Sequence, residues 1–339
     1  MGKYVDGVID SVSKSLDLRL WFHFLITGIF YAIVLGIIAV VFALIGIFAV
    51  SSAMGIDLLG VISGFVSTGT VSQEIYTNLM LAFLSPEIVL NIVLVGMVLL
   101  VVFLVFSMIV DSFFQAVYYF LARDFWDTKT IDLGIAFGNA KQRFFSLFKV
   151  QLILGIVIGI FALIVFSPIL FSLPGLLNSL PEILSAGSSG AGFAGVFLVL
   201  ALLIVLMLFF SLVLFFASPF LSMMIPSVLF GNLGAVDSIK NAVEIVKGKY
   251  LATLAFILLL GIVLGIISMV FGGIIVFFQV LGMLAVPLMV LMVFLRIILQ
   301  IVFNVWIGSV QTLGFVKLFD LNTGPSKPKR KGFVGVIAK

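Results

Sequence analysis

Cysteine is absent from the 339 residues, and histidine occurs once, as His23. The chain therefore offers no disulfide framework, no thiolate zinc site and no cysteine nucleophile, and imidazole chemistry has a single ring to draw on. Charge is scarce as well. Asp, Glu, Lys and Arg make up 9% of the residues, against about 25% in an ordinary soluble domain. So few charges cannot cover the surface of a soluble body of 36.7 kDa. Hydrophobic residues reach 63%, which points to a polytopic integral membrane protein. Walker A, His-Glu-x-x-His and Gly-x-Ser-x-Gly sequences are missing, and only one carboxylate falls within the apolar runs. A catalytic role, a metal centre and a cofactor are not expected.

Long apolar runs are present instead. Six of them, Trp21–Val50, Ile88–Ala122, Val150–Ser172, Ala194–Phe230, Tyr250–Leu281 and Pro287–Val316, exceed or match the roughly 20 residues that cross a bilayer. Pro168 and Pro174 are expected to stop the third, and Gly272–Gly273 to interrupt the fifth. The first run is too long for a cleaved signal peptide, and the residues after Met1 do not make a myristoylation motif. The fold class is all-α: a helix bundle of six spans in three hairpins. One membrane domain is expected over 1–322, followed by a basic flexible tail over 323–339.

Basic residues are distributed unevenly. Of the 18 Lys and Arg, 17 lie before span 1, between spans 2 and 3, between spans 4 and 5, or after span 6. The intervening loops 51–87, 173–192 and 282–286 hold none, and carry Asp57, Glu74, Glu87 and Glu182. The positive-inside rule then places both termini in the cytoplasm of a multi-pass cell-membrane protein. The formal charge of +4 and the pI near 9.3 are thus a topology signal and not a nucleic-acid footprint. In the first outer loop, Glu74–Leu84 is read as a short interfacial helix; the second, with its Ser-Gly run at 187–190, is read as a mobile loop.

The segments preceding spans 1, 3 and 5 share a pattern. Val5, Val8, Val12, Leu16 and Leu20 recur at helical spacing, as do Leu133, Phe137, Ala140, Phe144 and Leu147, and then Leu233, Val236, Ile239, Val243 and Val246. Polar residues occupy the opposite faces, so each segment reads as an interfacial amphipathic helix. Leu133-Gly134 recurs as Leu233-Gly234, and Gly155-Ile-Val-Ile-Gly159 as Gly261-Ile-Val-Leu-Gly265. These repetitions suggest three parallel pseudo-repeats of about 1–122, 131–230 and 231–319.

The stretch Ser218-Pro-Phe, then Ile225-Pro-Ser-Val-Leu-Phe-Gly-Asn-Leu-Gly-Ala-Val-Asp-Ser-Ile-Lys-Asn-Ala-Val-Glu-Ile-Val-Lys-Gly-Lys-Tyr250 carries a resemblance. It is similar to the membrane-domain family of glycerophosphoryl diester phosphodiesterases and to related prokaryotic six-helix membrane proteins. In these, a proline-containing span end is followed by an amphipathic helix, Lys-Gly and a new span. Tyr118-Tyr-Phe-Leu-Ala-Arg-Asp124 is alike in style. The likeness covers about residues 110–320 and implies a six-helix membrane fold. It carries over no activity, because the acidic metal-binding barrel of the phosphodiesterase has no counterpart here.

Polar residues inside the spans are the candidate functional positions. Arg296, Gln300, Asn304 and Gln311 fall within an arc of roughly 80° on span 6, and Ser107, Asp111 and Gln115 form a stripe on span 2. Ionisable groups in a membrane are costly and usually face an interior or a wet cavity. Two readings stay open for each stripe: a polar path or anionic-headgroup site, or interhelical hydrogen bonding that locks the bundle. An Asp111–Arg296 ion pair also stays open. Their depths nearly match if both span ends sit at the membrane edge, and differ by roughly 17 Å if each span is centred. His23, beside Trp21, reads as an interface residue. Lys327, Lys329, Arg330 and Lys331 form a polybasic tail suited to anionic lipid.

These features suggest a transport, channel or lipid-handling component; the alternative is a structural or assembly protein that binds partners through its surface helices. Its partners would be membrane lipids, anionic ones included, a second copy of the chain, or another membrane protein. The topology has a direct test. In intact cells an impermeant thiol reagent is expected to label Ser67→Cys and Ser188→Cys but not Ser326→Cys, and the reverse pattern would refute it.

Overall fold

In a computed structural model of the chain, the described residues are 2–54, 58–68, 86–129, 131–185, 190–283 and 286–324. Among them every regular element is an α-helix. In chain order these are α1 (Gly2–Ser15), α2 (Leu18–Met54), α3 (Leu58–Thr68), α4 (Pro86–Thr128), α5 (Leu133–Ser185), α6 (Gly190–Gly231), α7 (Ala235–Lys247), α8 (Tyr250–Met283) and α9 (Val286–Thr323). Six of them, α2, α4, α5, α6, α8 and α9, are long and apolar enough to cross a membrane. The chain is therefore a helical membrane protein.

Three sequence expectations need correction. Pro168 does not end the third span, since α5 runs on to Ser185 and takes in much of the segment read as a mobile loop. The Ser167 hydroxyl donates to the Ile164 carbonyl, the group that Pro168, four residues on, leaves without its amide partner. The same device recurs in α6, where Ser218 donates to Phe215 O ahead of Pro219. Gly272–Gly273 does not interrupt α8; in a bilayer a helix must satisfy its own backbone, so glycine's preference for other conformations is overridden. The second amphipathic segment is not a separate helix but the first part of α5. At 53 residues, α5 is about 80 Å long and must project beyond a hydrocarbon core of about 30 Å. On α1 small residues make up most of the buried face. Val5 and Leu16 are exposed, while Gly7, Val8, Ser11 and Ser15 are buried. The proposed helix at 74–84 and the tail from 325 onward lie outside the described residues.

The buried core is concentrated at one end of the bundle. It takes in Leu20 and Phe24 of α2, Phe120–Ala122 of α4, Leu147 and Val150 of α5, Met223 and Val228 of α6, Phe256 of α8 and Leu313–Phe319 of α9. The basic and acidic side chains gather at this charged end. Towards the other end the helices expose apolar side chains, such as Ile33–Val40 on α2, Leu94–Val102 on α4 and Ile204–Leu212 on α6. A Cβ built on Gly36, Gly96, Gly159, Gly261 or Gly265 meets nothing within 4 Å. In that half, aromatic contacts tie consecutive spans in pairs: Phe42 with Phe103, Phe161 with Phe210, and Phe271 with Phe303, the last two stacked.

Small residues let α1 and α7 dock at the charged end. On α7, Ser238, Ala242 and Val246 are buried and face α6 and α5. On α1, Gly7, Ser11 and Ser15 occupy the matching spacing and face α9 and α8. Gly7 is tightly packed there: a Cβ would sit 3.2 Å from Leu321 Cδ1 and from Phe256 Cε2, so these neighbours would have to shift by a few tenths of an ångström. Trp306 Nε1 donates to Ser15 Oγ at 2.9 Å. Left-handed residues end the helices that lead back to the charged end: Lys129 (φ 57°) after α4, Asn232 (φ 57°) after α6 and Gly324 (φ 82°) after α9.

Two clasps close this end. Arg123 of α4 binds Asp127 Oδ2 at 2.9 Å and Asp320 Oδ1 of α9 at 2.6 Å, with its guanidinium 5.4 Å from the Phe230 ring of α6. Buried Asn322 of α9 accepts from Tyr4 Oη of α1 at 3.0 Å and donates to Thr253 Oγ1 of α8 at 3.0 Å. Lys249 Nζ adds bonds to the Leu321 and Asn322 carbonyls. Nearby, Lys14 and Lys317 place their ammonium groups 3.4 and 4.7 Å from the Trp126 ring. Burial, followed by repulsion from Lys317, lowers the Lys14 pKa. Replacing Asn322 by Leu strands buried Thr253 and half-buried Tyr4, and is expected to cost about 2–3 kcal/mol in detergent melting. Gln300→Leu, on an exposed face, is expected to leave the melting temperature nearly unchanged. Equal effects would mean that the clasp does not hold the bundle.

Candidate functional site

The packed core does not extend through the bundle. Just beyond it, towards the apolar end, lies a chamber of about 430 Å³ lined from α2, α4, α6, α8 and α9. Its position follows from where side-chain volume stops filling the space between helices. α4 supplies Asp111, Gln115 and Tyr118 at spacings of four and three, immediately before its buried stretch. α9 supplies Gln311 and Thr312, and α6 supplies Ser218 and Ser222, beside the proline at 219. Apolar walls come from Phe114, Leu221, Ile225, Ile257 and Phe315.

Among the described lining residues, Asp111 is the only formally charged one, and its side chain is exposed to the open space. Tyr31 of α2 stands beside its carboxylate on the same lining, and the Tyr31 ring meets Phe114 edge-on at 5.4 Å. Tyr118 stands beside both, its hydroxyl against α2 where Gly28 leaves room. A Cβ at Gly28 would lie 3.2 Å from that oxygen. Gln115 is held by a polar relay across α4 and α5. Ser112 donates to Gln151 Oε1, and Gln151 Nε2 donates to Gln115 Oε1. The relay fixes one amide of the lining and satisfies three polar groups within the apolar span.

A second chamber of about 390 Å³ adjoins the first between α2 and α9. The two share Tyr31, Tyr118, Gly308 and Thr312. Leu25, Ile29, Ala32, Ile301 and Val305 make it mostly apolar, and Asn304 is a polar exception.

The sequence-derived stripes divide accordingly. Asp111, Gln115 and Gln311 meet in the first chamber, and Asn304 reaches the second. Gln300 bonds Asn304 along α9 at 3.4 Å and lines neither. Ser107 Oγ is buried with no hydrogen-bond partner among the described residues. Arg296 is exposed, and no ion pair joins it to Asp111, which stands beside Tyr31. His23 lies exposed with Nδ1 2.7 Å from the Arg19 carbonyl, and no cluster of metal-binding side chains occurs among the described residues. Tyr31, Tyr118, Tyr119 and Gln151 escaped the sequence reading. A signal existed: tyrosine prefers the membrane interface, whereas Tyr31 stands about ten residues inside span 1.

No protein-family model, curated protein or solved structure matches the chain. The site's chemistry must therefore be read from its own geometry. Arg296 provides a first check. An exposed arginine with no engaged carboxylate is expected to tolerate Leu, with a stability change within about 0.5 kcal/mol. A loss of about 3–5 kcal/mol in melting experiments would instead reveal a buried partner.

Proposed function

We propose that this protein is a membrane-embedded transport or lipid-handling component without catalytic activity, and that the Asp111 chamber is where its cargo sits. The carrying observation is a polar chamber inside an apolar bundle, lined by five of the six spans. A protein that served only as a scaffold would gain nothing from holding a carboxylate, two glutamines and six hydroxyl-bearing side chains around open space within a membrane. Its volume lies within the roughly 300–1,000 Å³ of small-molecule sites, and sites of this kind form between helices of bundles.

In this reading the charged end faces the cytoplasm of the cell membrane, as the loop charges require. α1 and α7 then lie at the interface, with Val5, Ile9, Val236 and Val243 towards lipid and their small residues towards the bundle. The architecture is a threefold internal repetition. Its supports are the left-handed stops after α4, α6 and α9, the buried small-residue faces of α1 and α7, and the way each docks under a pair of spans: α7 on α5 and α6, α1 on α8 and α9. The docking of α1 on the last pair closes the array into a ring, and a ring of three pairs leaves a space at its centre. The likeness to the phosphodiesterase membrane domains fits this arrangement.

Because the chain lacks cysteine, single introduced thiols report without background. In membranes, Gln311→Cys and Ser222→Cys are expected to react with a small hydrophilic methanethiosulfonate reagent, which needs water to ionise the thiol. Ile204→Cys, on the apolar exterior of α6, is expected to stay unlabelled. A chamber that excludes the reagent at both positions would favour the scaffold role.

A further inference from the structure

We propose that the chamber recognises the ammonium headgroup of a membrane amphiphile, with Asp111 as counter-ion and the acyl chain passing between α2 and α9. This rests on the reading of the chamber as a cargo site, and gives that cargo a chemical class.

The sign of the charge comes first. Among the described residues that line the two chambers, Asp111 is the single formal charge. Arg296, the basic residue of the apolar half, lines neither. A phosphate or carboxylate would enter a low-dielectric space whose one fixed charge repels it, whereas a cation would find a partner there.

The kind of cation follows from the walls. One carboxylate, with no second acidic ligand, does not make a divalent-metal site, which needs several anionic or carbonyl oxygens. The lining does bring the aromatic rings of Tyr31, Phe114, Tyr118 and Phe315 around the same space. Aromatic faces attract large, weakly hydrated cations, and aromatic cages beside a carboxylate suit ammonium groups. Gln115, Gln311 and Thr312 remain to bond the neutral polar atoms of a headgroup.

The third observation is the adjoining apolar chamber. It opens from the polar one at Tyr31, Tyr118, Gly308 and Thr312, and its other walls are apolar except for Asn304. A small hydrophilic amine has no use for it. An amphiphile uses both chambers, its charged end beside Asp111 and its chain along Ile29, Ala32, Ile301 and Val305. That path lies between two helices whose outer faces carry exposed Ile33, Ile37 and Ile298, so the chain can join the surrounding acyl layer.

The test is thermal melting of the full-length protein in a neutral detergent, with decyltrimethylammonium, decyl phosphate and tetramethylammonium as probes. Wild type is compared with Asp111→Asn, which keeps the shape and removes the charge, and with Gln311→Lys, which adds a cation to the same chamber. The expected result is a saturable rise of several degrees for wild type with decyltrimethylammonium, lost in both variants. Decyl phosphate should give no rise, and tetramethylammonium a much smaller one. An equal rise with decyl phosphate, or a rise kept in both variants, overturns the ammonium assignment. An equal rise with tetramethylammonium overturns the acyl path. If no probe acts while Gln311→Cys is labelled from water, the headgroup assignment fails and the cargo site stands. If that thiol is also inaccessible, the cargo site fails with it.

Discussion

Arg123 bridging Asp127 and Asp320 is the contact on which the arrangement of the spans depends. In a bilayer, apolar helices gain little from burying one another, because lipid tails are as apolar as leucine. What fixes their relative positions must be packing of small surfaces and polar contacts at their ends. Arg123 ties α4 to α9, the first pair of spans to the last. The Asp320 side chain is 19% exposed and that of Arg123 18%, so removing Arg123 strands the largely buried Asp320 carboxylate, at a cost of about 3–5 kcal/mol. Asn322 then fastens α1 and α8 to the same segment of α9. With both clasps at one end, the spans are held like rods bound at their base.

The chamber is a consequence of that binding. Where the helices are clamped, side chains from Leu20 to Phe319 fill the interior. One or two turns further out the clamps no longer act, and the pairs are joined within themselves by phenylalanine contacts. Space opens between pairs at the level where α4 presents Asp111 and Gln115, and α9 presents Gln311. Serines beside the kinking prolines and the Ser112–Gln151–Gln115 relay satisfy the polar groups of the surrounding helices. Such compensation matters because an unpaired polar group costs several kcal/mol in hydrocarbon.

Much of this fold was legible in the sequence, for a physical reason. Membrane thickness sets the length of a span and loop charge sets its surroundings, so six apolar runs announced α2, α4, α5, α6, α8 and α9. Helix ends were less legible. Pro168 and Gly272–Gly273 break helices in water, where freed backbone groups find solvent; in an apolar surrounding the helix continues. The buried face of α1 was less legible, because hydrophobicity does not mark the interior when the exterior is lipid. Gly7 and Ser11 face inward because they are small, and Val5 faces outward because it is apolar. Of the site, Asp111, Gln115 and Gln311 stood out as misplaced polar residues. Periodicity on single helices could not show that Tyr31 from another span stands beside Asp111, nor that Arg296 turns away from it. Those facts depend on rotations set by the clasps, between residues far apart in sequence.

The central claim is that the space between the pairs is an occupied binding chamber and not a packing defect. An electron cryo-microscopy map of the full-length protein, extracted directly from its native membrane into lipid nanodiscs, tests it most directly. Non-protein density is expected between Asp111 and Gln311, continuing as a narrow tail between α2 and α9. A map in which the helices have closed on one another there, with Tyr31 and Gln311 in contact and no room between them, would contradict the account.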